Sequence, residues 1–152
     1  MTSASTGVRV DQIDHVELFV PDRHQAAEWY RRVLGLKVVP EYEQWAEDSQ
    51  GPLMISSDGG STKLALFQGV PQGSRGTAGF HLVAFRVGAV EFGSFLDRLP
   101  DLDLINHRGQ RVTADLAVDH LAAYSIYFSD PFGHRLELTT YQYEQAKAIL
   151  GR

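Results

Sequence analysis

The chain has 152 residues, of which 43% are apolar and 22% charged, as is typical of a single globular domain. It contains no cysteine, which excludes disulfides, thiolate metal sites and a cysteine nucleophile, so any metal must be held by histidine or carboxylate ligands. The formal net charge of −5, without a basic run, argues against a nucleic-acid partner, and no apolar stretch approaches the ~20 residues that span a bilayer.

The first residues are small and polar and lack the basic region and apolar core of a signal peptide. We therefore expect a disordered segment at 1–9 and a cytoplasmic protein that does not interact with membranes.

The first half of the chain predicts a strand, a helix and three further strands. Alternation over 8–20 predicts a strand that places His15 and Glu17 on one face. Asp22 is a good N-cap for an amphipathic helix, and Gly35 suits its C-terminal end. The predicted elements are the helix at 23–34, a short strand at 36–40, a polar loop or irregular strand edge at 41–51, and hairpin strands at 52–56 and 63–68.

The second half predicts the same order of elements after a glycine-rich linker at 69–79. Pro100 is expected to end the second helix, and the polar stretch that follows is expected to contain one strand. The predicted elements are a strand at 81–87, a helix at 90–99, a strand near 111–113, a hairpin within 124–141 and a terminal helix at 143–150.

The hairpin at 124–141 carries the first indication of a functional site. Its turn is Asp130-Pro131-Phe132-Gly133, in which proline presets one backbone angle and glycine accepts a positive φ. Its second strand places Glu137 between Leu136 and Leu138, on the face opposite the two leucines. A carboxylate in mid-strand is costly to bury unless it is paired or bound to a metal.

The sequence contains an internal repeat. Residues 57–66 match 129–138 without a gap, and 13–20 resemble 79–86, which aligns His15 with His81. We predict an α+β fold in which two βαβββ modules form a curled, cup-shaped mixed sheet with helices outside. The modules, 10–70 and 79–142, make up a single domain at 10–142, and a C-terminal helix follows at 143–152.

Three residues are candidate metal ligands: His15, His81 and Glu137. Two imidazoles and one carboxylate form a facial triad that leaves coordination positions open, which suits Fe(II) and O2 chemistry or Lewis-acid catalysis on a bidentate substrate. Ala65 is the internal counterpart of Glu137, so a fourth ligand is absent there. Alternatively, Glu137 is a strand acid paired with Arg86 or Arg111.

These motifs together resemble the vicinal oxygen chelate superfamily, which includes glyoxalase I, extradiol dioxygenases, and fosfomycin- and bleomycin-resistance proteins. The resemblance covers most of 10–142 and implies paired βαβββ modules. It is carried by the motifs Asp14-His15-Val16, Ala26 to Leu36, Phe80 to Phe85, and Tyr127 to Leu138.

Within that family, Ala65 departs from the glyoxalase pattern, and a His, His, Glu set is the pattern of extradiol dioxygenases and of fosfomycin-modifying enzymes. The segment 119–127 is similar to one in small catechol-type dioxygenases. That resemblance implies acid–base or substrate-oxygen roles for His120 and Tyr127. It also implies Fe(II) or Mn(II), with Zn(II) or Ni(II) as alternatives, and ring cleavage of a vicinal diol.

Other functions within this fold stay open at this point. One alternative is a glyoxalase-like lyase or isomerase, or a thiol transferase; another is a resistance protein that binds a small molecule or antibiotic. The resemblance implies a small-molecule substrate and a homodimer. It leaves open whether His15 meets the other two ligands in one chain or across two.

Overall fold

The computed structural model describes residues 7–70 and 81–152. The chain divides into two compact units, Met1–Gln72 and Gly73–Arg152, here called unit one and unit two. Most of the predicted disordered segment at 1–9 and of the predicted linker at 69–79 lies outside the described residues.

Unit one is a four-stranded mixed sheet with one α-helix, α1. In the sheet, β1 runs parallel to β4, β3 is antiparallel to β4, and β2 is antiparallel to β3. The elements are β1 (His15–Val20), α1 (Arg23–Leu34), β2 (Lys37–Val38), a 3-10 helix (Pro40–Glu47), β3 (Leu53–Ser56) and β4 (Lys63–Gln68).

The local sequence accounts for both ends of α1, and the predicted bounds are confirmed. The Asp22 side chain accepts a hydrogen bond from the backbone N–H of Gln25 at 2.9 Å, which satisfies one free N–H of the first turn. Gly35 adopts φ 71° and its N–H closes the last turn on Arg31. The helix buries Ala26, Tyr30 and Val33.

Unit one differs from the prediction at two places. The strand begins only at His15, and the polar stretch predicted as a loop contains the 3-10 helix Pro40–Glu47. Within that helix Tyr42 and Trp45 stack with ring centroids 4.6 Å apart. Local ring packing thus orders a segment that shows no apolar periodicity in the sequence.

Unit two repeats the plan of unit one. In its sheet, β5 is parallel to β8, β7 is antiparallel to β8, and β6 is antiparallel to β7. The elements are β5 (Leu82–Arg86), α2 (Ala89–Leu102), a 3-10 turn (Ala114–Leu116), β6 (Val118–Asp119), β7 (Tyr124–Ser129), β8 (Arg135–Thr140) and α3 (Tyr143–Leu150).

The prediction that Pro100 ends the second helix is wrong, because α2 continues to Leu102. Leu99 and Leu102 are both buried, so packing of the apolar face outweighs the proline in the last turn. The strand predicted near 111–113 is an isolated bridge between Ile105 and Arg111, and the edge strand β6 forms instead at Val118–Asp119.

The α+β fold class and the two modules are confirmed. In each unit the apolar side of the sheet packs under its helix, as Phe95 of α2 and Phe128 of β7 do at 5.3 Å between ring centroids. Among the described residues, no helix is long and apolar enough to cross a membrane.

Candidate functional site

Glu137 lies in the middle of β8, between Tyr127 of β7 and Ala84 of β5. Its neighbours Leu136 and Leu138 are buried on the helix side, as the alternation predicted. Because the strands are in register, Glu137 shares its face with Ser125, Tyr127 and Thr139. We call these four residues the polar face of unit two.

His120 joins this face through Tyr127. Its Nε2 atom lies 2.9 Å from the Tyr127 hydroxyl, and Tyr127 pairs directly with Glu137 across β7 and β8. Ser125 Oγ lies 3.2 Å from Glu137 Oε2 and 2.9 Å from Thr139 Oγ1. The structure therefore brings together three of the five predicted site residues, His120, Tyr127 and Glu137, at the polar face of unit two.

The phenol of Tyr127 is held in its neutral form. Partial burial is the main cause of its raised pKa, and the negative charge of Glu137 and the hydrogen bond to it add to the effect. A neutral hydroxyl can donate one hydrogen bond and accept another. It can therefore pass a proton between His120 and a ligand near Glu137.

The loop that carries His120 is fixed by Asp119. One carboxylate oxygen accepts the backbone N–H of Leu121 at 2.8 Å. The other accepts the hydroxyls of Tyr143 at 2.9 Å and Tyr124 at 3.2 Å. These three donors lower the pKa of Asp119, with the Leu121 N–H the largest cause. We call this arrangement the Asp119 clamp.

Leu121 shows why such a clamp is needed. It has φ 70°, a conformation that a leucine seldom adopts, and its side chain is exposed. The backbone of His120 is held from the other side, where its N–H donates to the carbonyl of Ala123 at 2.8 Å. The sequence reasoning missed the clamp, although Asp119 two residues before a turn position was a usable signal.

In unit one, His15 is held by its neighbour Asp14. Its Nδ1 lies 2.8 Å from Asp14 Oδ2, while its Nε2 lies 3.7 Å from Glu17 Oε1. Asp14 also pairs at 3.2 Å with Lys63, whose side chain is buried. The hydrogen bond from His15 is the main cause of the lowered pKa of Asp14, followed by that from Lys63.

This arrangement matches the usual surroundings of a metal-binding histidine. Such a histidine commonly bonds a carboxylate through one ring nitrogen, which orients the other toward the metal. Sequence reasoning placed Asp14 in a motif but gave it no function. Lys63 was missed altogether, although a charged residue beside buried leucines in β4 was a usable signal.

The strand registers correct the internal alignment by one residue. His15 pairs with Lys63 in unit one, and Leu82 pairs with Arg135, the counterpart of Lys63, in unit two. Leu82 therefore occupies the position equivalent to His15. His81 lies one residue earlier, directly before β5, and is exposed.

The alignment failed because it matched one histidine with another instead of matching the residues that pair with the last strand of each unit. Leu18 is buried and pairs with Leu66, and the register places Phe85 at the equivalent position of β5. Ala65 and Glu137 remain counterparts in the corrected alignment, because they pair with Glu17 and Ala84 respectively.

The predicted ligands are divided between the units, with His15 in unit one and His81 and Glu137 in unit two. In the part of the chain that is described, neither unit alone gathers three histidine, aspartate or glutamate side chains into a metal-binding group. The alternative partner for Glu137, Arg111, instead lies 3.4 Å from Asp103 and donates to the carbonyl of Pro100.

The donor chemistry of these residues fits a divalent cation. His15 has one ring nitrogen bonded to a carboxylate, and Glu137 is half-buried with Ser125 and Tyr127 as partners. Imidazole and carboxylate donors suit Fe(II), Mn(II) and Zn(II).

Comparison with known families agrees with this fold. Residues 12–138 match the model of the Glyoxalase/Bleomycin resistance protein/Dioxygenase superfamily. The chain therefore belongs to that superfamily, whose members bind divalent metals. No curated protein matches the chain.

Several solved structures have the same fold. One is a mutant of the genomically encoded fosfomycin resistance protein FosX from Listeria monocytogenes, complexed with Mn(II) and 1S,2S-dihydroxypropylphosphonic acid. It has a TM-score of 0.65 and 16% identity, over 90% of this chain and 97% of that chain. Another is the oxidase ChaP-H1, with a TM-score of 0.60 and 22% identity, over 86% and 96% of the two chains. At these identities the similarity concerns the fold alone.

Proposed function

We propose that this protein is a metal-dependent dioxygenase that cleaves the ring of a catechol-like vicinal diol. His15, His81 and Glu137 would hold the metal, and His120 and Tyr127 would handle protons. The observation that carries this proposal is the position of the hydrogen-bonded pair His120 and Tyr127 directly beside Glu137 on the polar face of unit two.

A bound Fe(II) or Mn(II) ion supplies Lewis acidity toward the diol oxygens and a redox centre for O2. The residues of the chain move the protons. A diol hydroxyl passes its proton to the Tyr127 oxygen as Tyr127 passes its own proton to His120 Nε2, and the reverse transfer returns a proton to the product.

The test is oxygen consumption after the protein is loaded with Fe(II) under anaerobic conditions. Adding O2 and a panel of catechols should give one O2 consumed per diol and a yellow ring-opened product. The exposed Glu91→Gln in α2 serves as the control and should behave like the wild type. Full metal loading without turnover across the panel would contradict the proposal.

A second candidate is metal-dependent chemistry without O2, either as a lyase or isomerase or as a thiol transferase. It is favoured by the fold likeness to a fosfomycin resistance protein that binds Mn(II) and a vicinal diol. One measurement distinguishes the two candidate functions. Turnover with Mn(II), Ni(II) or Zn(II) under strict anaerobiosis supports the second candidate and excludes the first.

A further inference from the structure

A cavity of about 250 Å³ opens in unit two next to Tyr127. It lies just below the ~300–1,000 Å³ typical of sites for drug-sized ligands, so its volume suits one small ring. Phe128 and Leu136 are almost completely buried and form a hydrocarbon floor. The lining residues are Leu82, His107, Tyr127, Phe128, Arg135 and Leu136.

Arg135 is the one permanently charged residue among these six. Its guanidinium stays protonated and presents a planar set of donors that matches a carboxylate. His107 adds an exposed imidazole, and none of the six carries a negative charge. The cavity therefore combines apolar walls with donors suited to an anion, which is the usual composition of a small-molecule pocket.

The cavity is continuous with the polar face of unit two. Arg135 precedes Glu137 by two residues on β8 and points to the same face, roughly 7 Å away along the strand. Tyr127 belongs to both places, because it lines the cavity, bonds His120 through its hydroxyl and pairs with Glu137 across the strands. A ligand of one ring's length can thus reach from Glu137 to Arg135.

We propose that this cavity binds the acidic substituent of a single-ring aromatic substrate, with Arg135 as its anion-binding residue and His107 as a second donor. The proposal rests on the proposed function for the diol end of the substrate. It narrows the substrate class to an aromatic diol that carries a carboxylate on a side of the ring away from the hydroxyls.

Three probes separate the two ends of the site in binding titrations of the Mn(II)-loaded protein followed by NMR. Phenylacetate tests the anion end, 4-ethylcatechol tests the diol end, and 3,4-dihydroxyphenylacetate tests both. In Arg135→Gln both acids should bind at least about tenfold more weakly, because a charge-assisted hydrogen bond is lost, while 4-ethylcatechol should bind as to the wild type. Arg108→Gln, next to His107 but not lining the cavity, is the control and should change none of the three.

Equal affinity of phenylacetate for wild type and Arg135→Gln would overturn the proposal, as would failure of the wild type to bind either acid. Should Arg135→Gln not fold, His107→Gln is used instead. Both acids should again bind more weakly than to the wild type, with a smaller loss of affinity than expected for Arg135→Gln. Arginine-dependent binding of phenylacetate without binding of 4-ethylcatechol would support the anion cavity and contradict the diol function. Displacement of phenylacetate by equimolar inorganic phosphate would show that the cavity binds anions in general, and would overturn the proposal that it prefers an acid on an aromatic ring.

Discussion

Unit one and unit two follow the same strand plan but present different side chains on equivalent strands. In unit one Ala65 belongs to an apolar cluster with Val39 and Met54, against which Tyr42 and Phe67 pack. In unit two the counterpart of Ala65 is Glu137, surrounded by Ser125 and Tyr127. One scaffold thus supports an apolar face in one copy and a polar, hydrogen-bonded face in the other.

The hairpin turns show that the scaffold itself is shared. Asp58 accepts the backbone N–H of Thr62 at 2.9 Å, and Asp130 accepts that of His134 at 2.9 Å. Each aspartate closes the turn between the last two strands of its unit by the same side-chain-to-backbone bond. The difference between the two faces therefore comes from the residues at single strand positions, and substitutions at those positions test it.

Replacement of Glu137 should have the largest effect. Glu137→Gln keeps the shape of the side chain but removes its negative charge, so metal affinity should fall by more than about 100-fold, the upper end for outer-shell residues. Calorimetric titration with Mn(II) measures this. His15→Ala and His81→Ala should show losses of the same order.

The control for this series is Glu91→Gln, an exposed charge change in the same unit. Wild-type Mn(II) affinity in Glu137→Gln would remove the proposed metal site. Wild-type affinity in His81→Ala alone would mean that the one-residue shift in register takes His81 out of the ligand set.

Tyr127→Phe should leave metal binding intact and act on turnover. The variant keeps the ring beside Glu137 but removes the hydroxyl that bonds His120. Loss of a general acid or base costs about 10² to 10⁴ in rate, so kcat should fall by at least about 100-fold. Steady-state kinetics of diol cleavage measure this, with Tyr141→Phe, an exposed tyrosine, as control. An unchanged kcat would mean that Tyr127 only lines the site and takes no part in proton transfer.

The sequence was sufficient for the parts of the fold that depend on local signals. The bounds of α1 follow from periodicity and caps, and the 124–141 hairpin follows from its turn residues. Glu137 was found because a strand has only two faces and both of its neighbours are leucines. Family resemblance, and not local pattern, pointed to His120 and Tyr127 as a pair.

The sequence was insufficient where contacts between residues far apart in the chain determine the structure. The extension of α2 past Pro100 depends on the burial of Leu102, and the register of β5 is set by its pairing with β8, a strand distant in the sequence. The Asp119 clamp needs Tyr143 from the terminal helix, 24 residues further along. Hydrogen bonds between residues so far apart leave no periodic pattern for a reader of the sequence to detect.

Asp14→Asn tests the other side of the comparison, since unit one contributes a histidine but no acid at position 65. An asparagine keeps one acceptor but loses the charge that bonds His15 Nδ1 at 2.8 Å. Outer-shell substitutions of this kind lower metal affinity by about 10- to 100-fold, so the loss should be smaller than in Glu137→Gln. Asp11→Asn, an exposed aspartate before β1, is the control in the Mn(II) titration. A loss as large as that of Glu137→Gln would instead indicate that Asp14 is itself a ligand.

The smallest expected effect concerns acid stability, where the two units should behave alike. Asp58 and Asp119 both have a pKa below the ordinary value of 3.8, lowered mainly by backbone N–H groups of Thr62 and Leu121 respectively. Because the folded pKa is depressed, each carboxylate stabilises the fold fully above the unfolded pKa, and this contribution is lost as the pH falls through the folded pKa. Asp58→Asn and Asp119→Asn should each lower Tm near neutral pH, and the difference from wild type should shrink as the pH is lowered below 3.8.

The two variants should differ in their effect on His120. Only Asp119 fixes the loop that places His120 Nε2 2.9 Å from the Tyr127 hydroxyl, so only Asp119→Asn should shift the ring nitrogen signals of His120 in NMR spectra. Tyr143→Phe, which removes one donor to the Asp119 clamp, should shift them in the same direction by less. Equal shifts in Asp58→Asn and Asp119→Asn would show that His120 responds to overall stability and not to the clamp. The polar face of unit two would then lack a dedicated support.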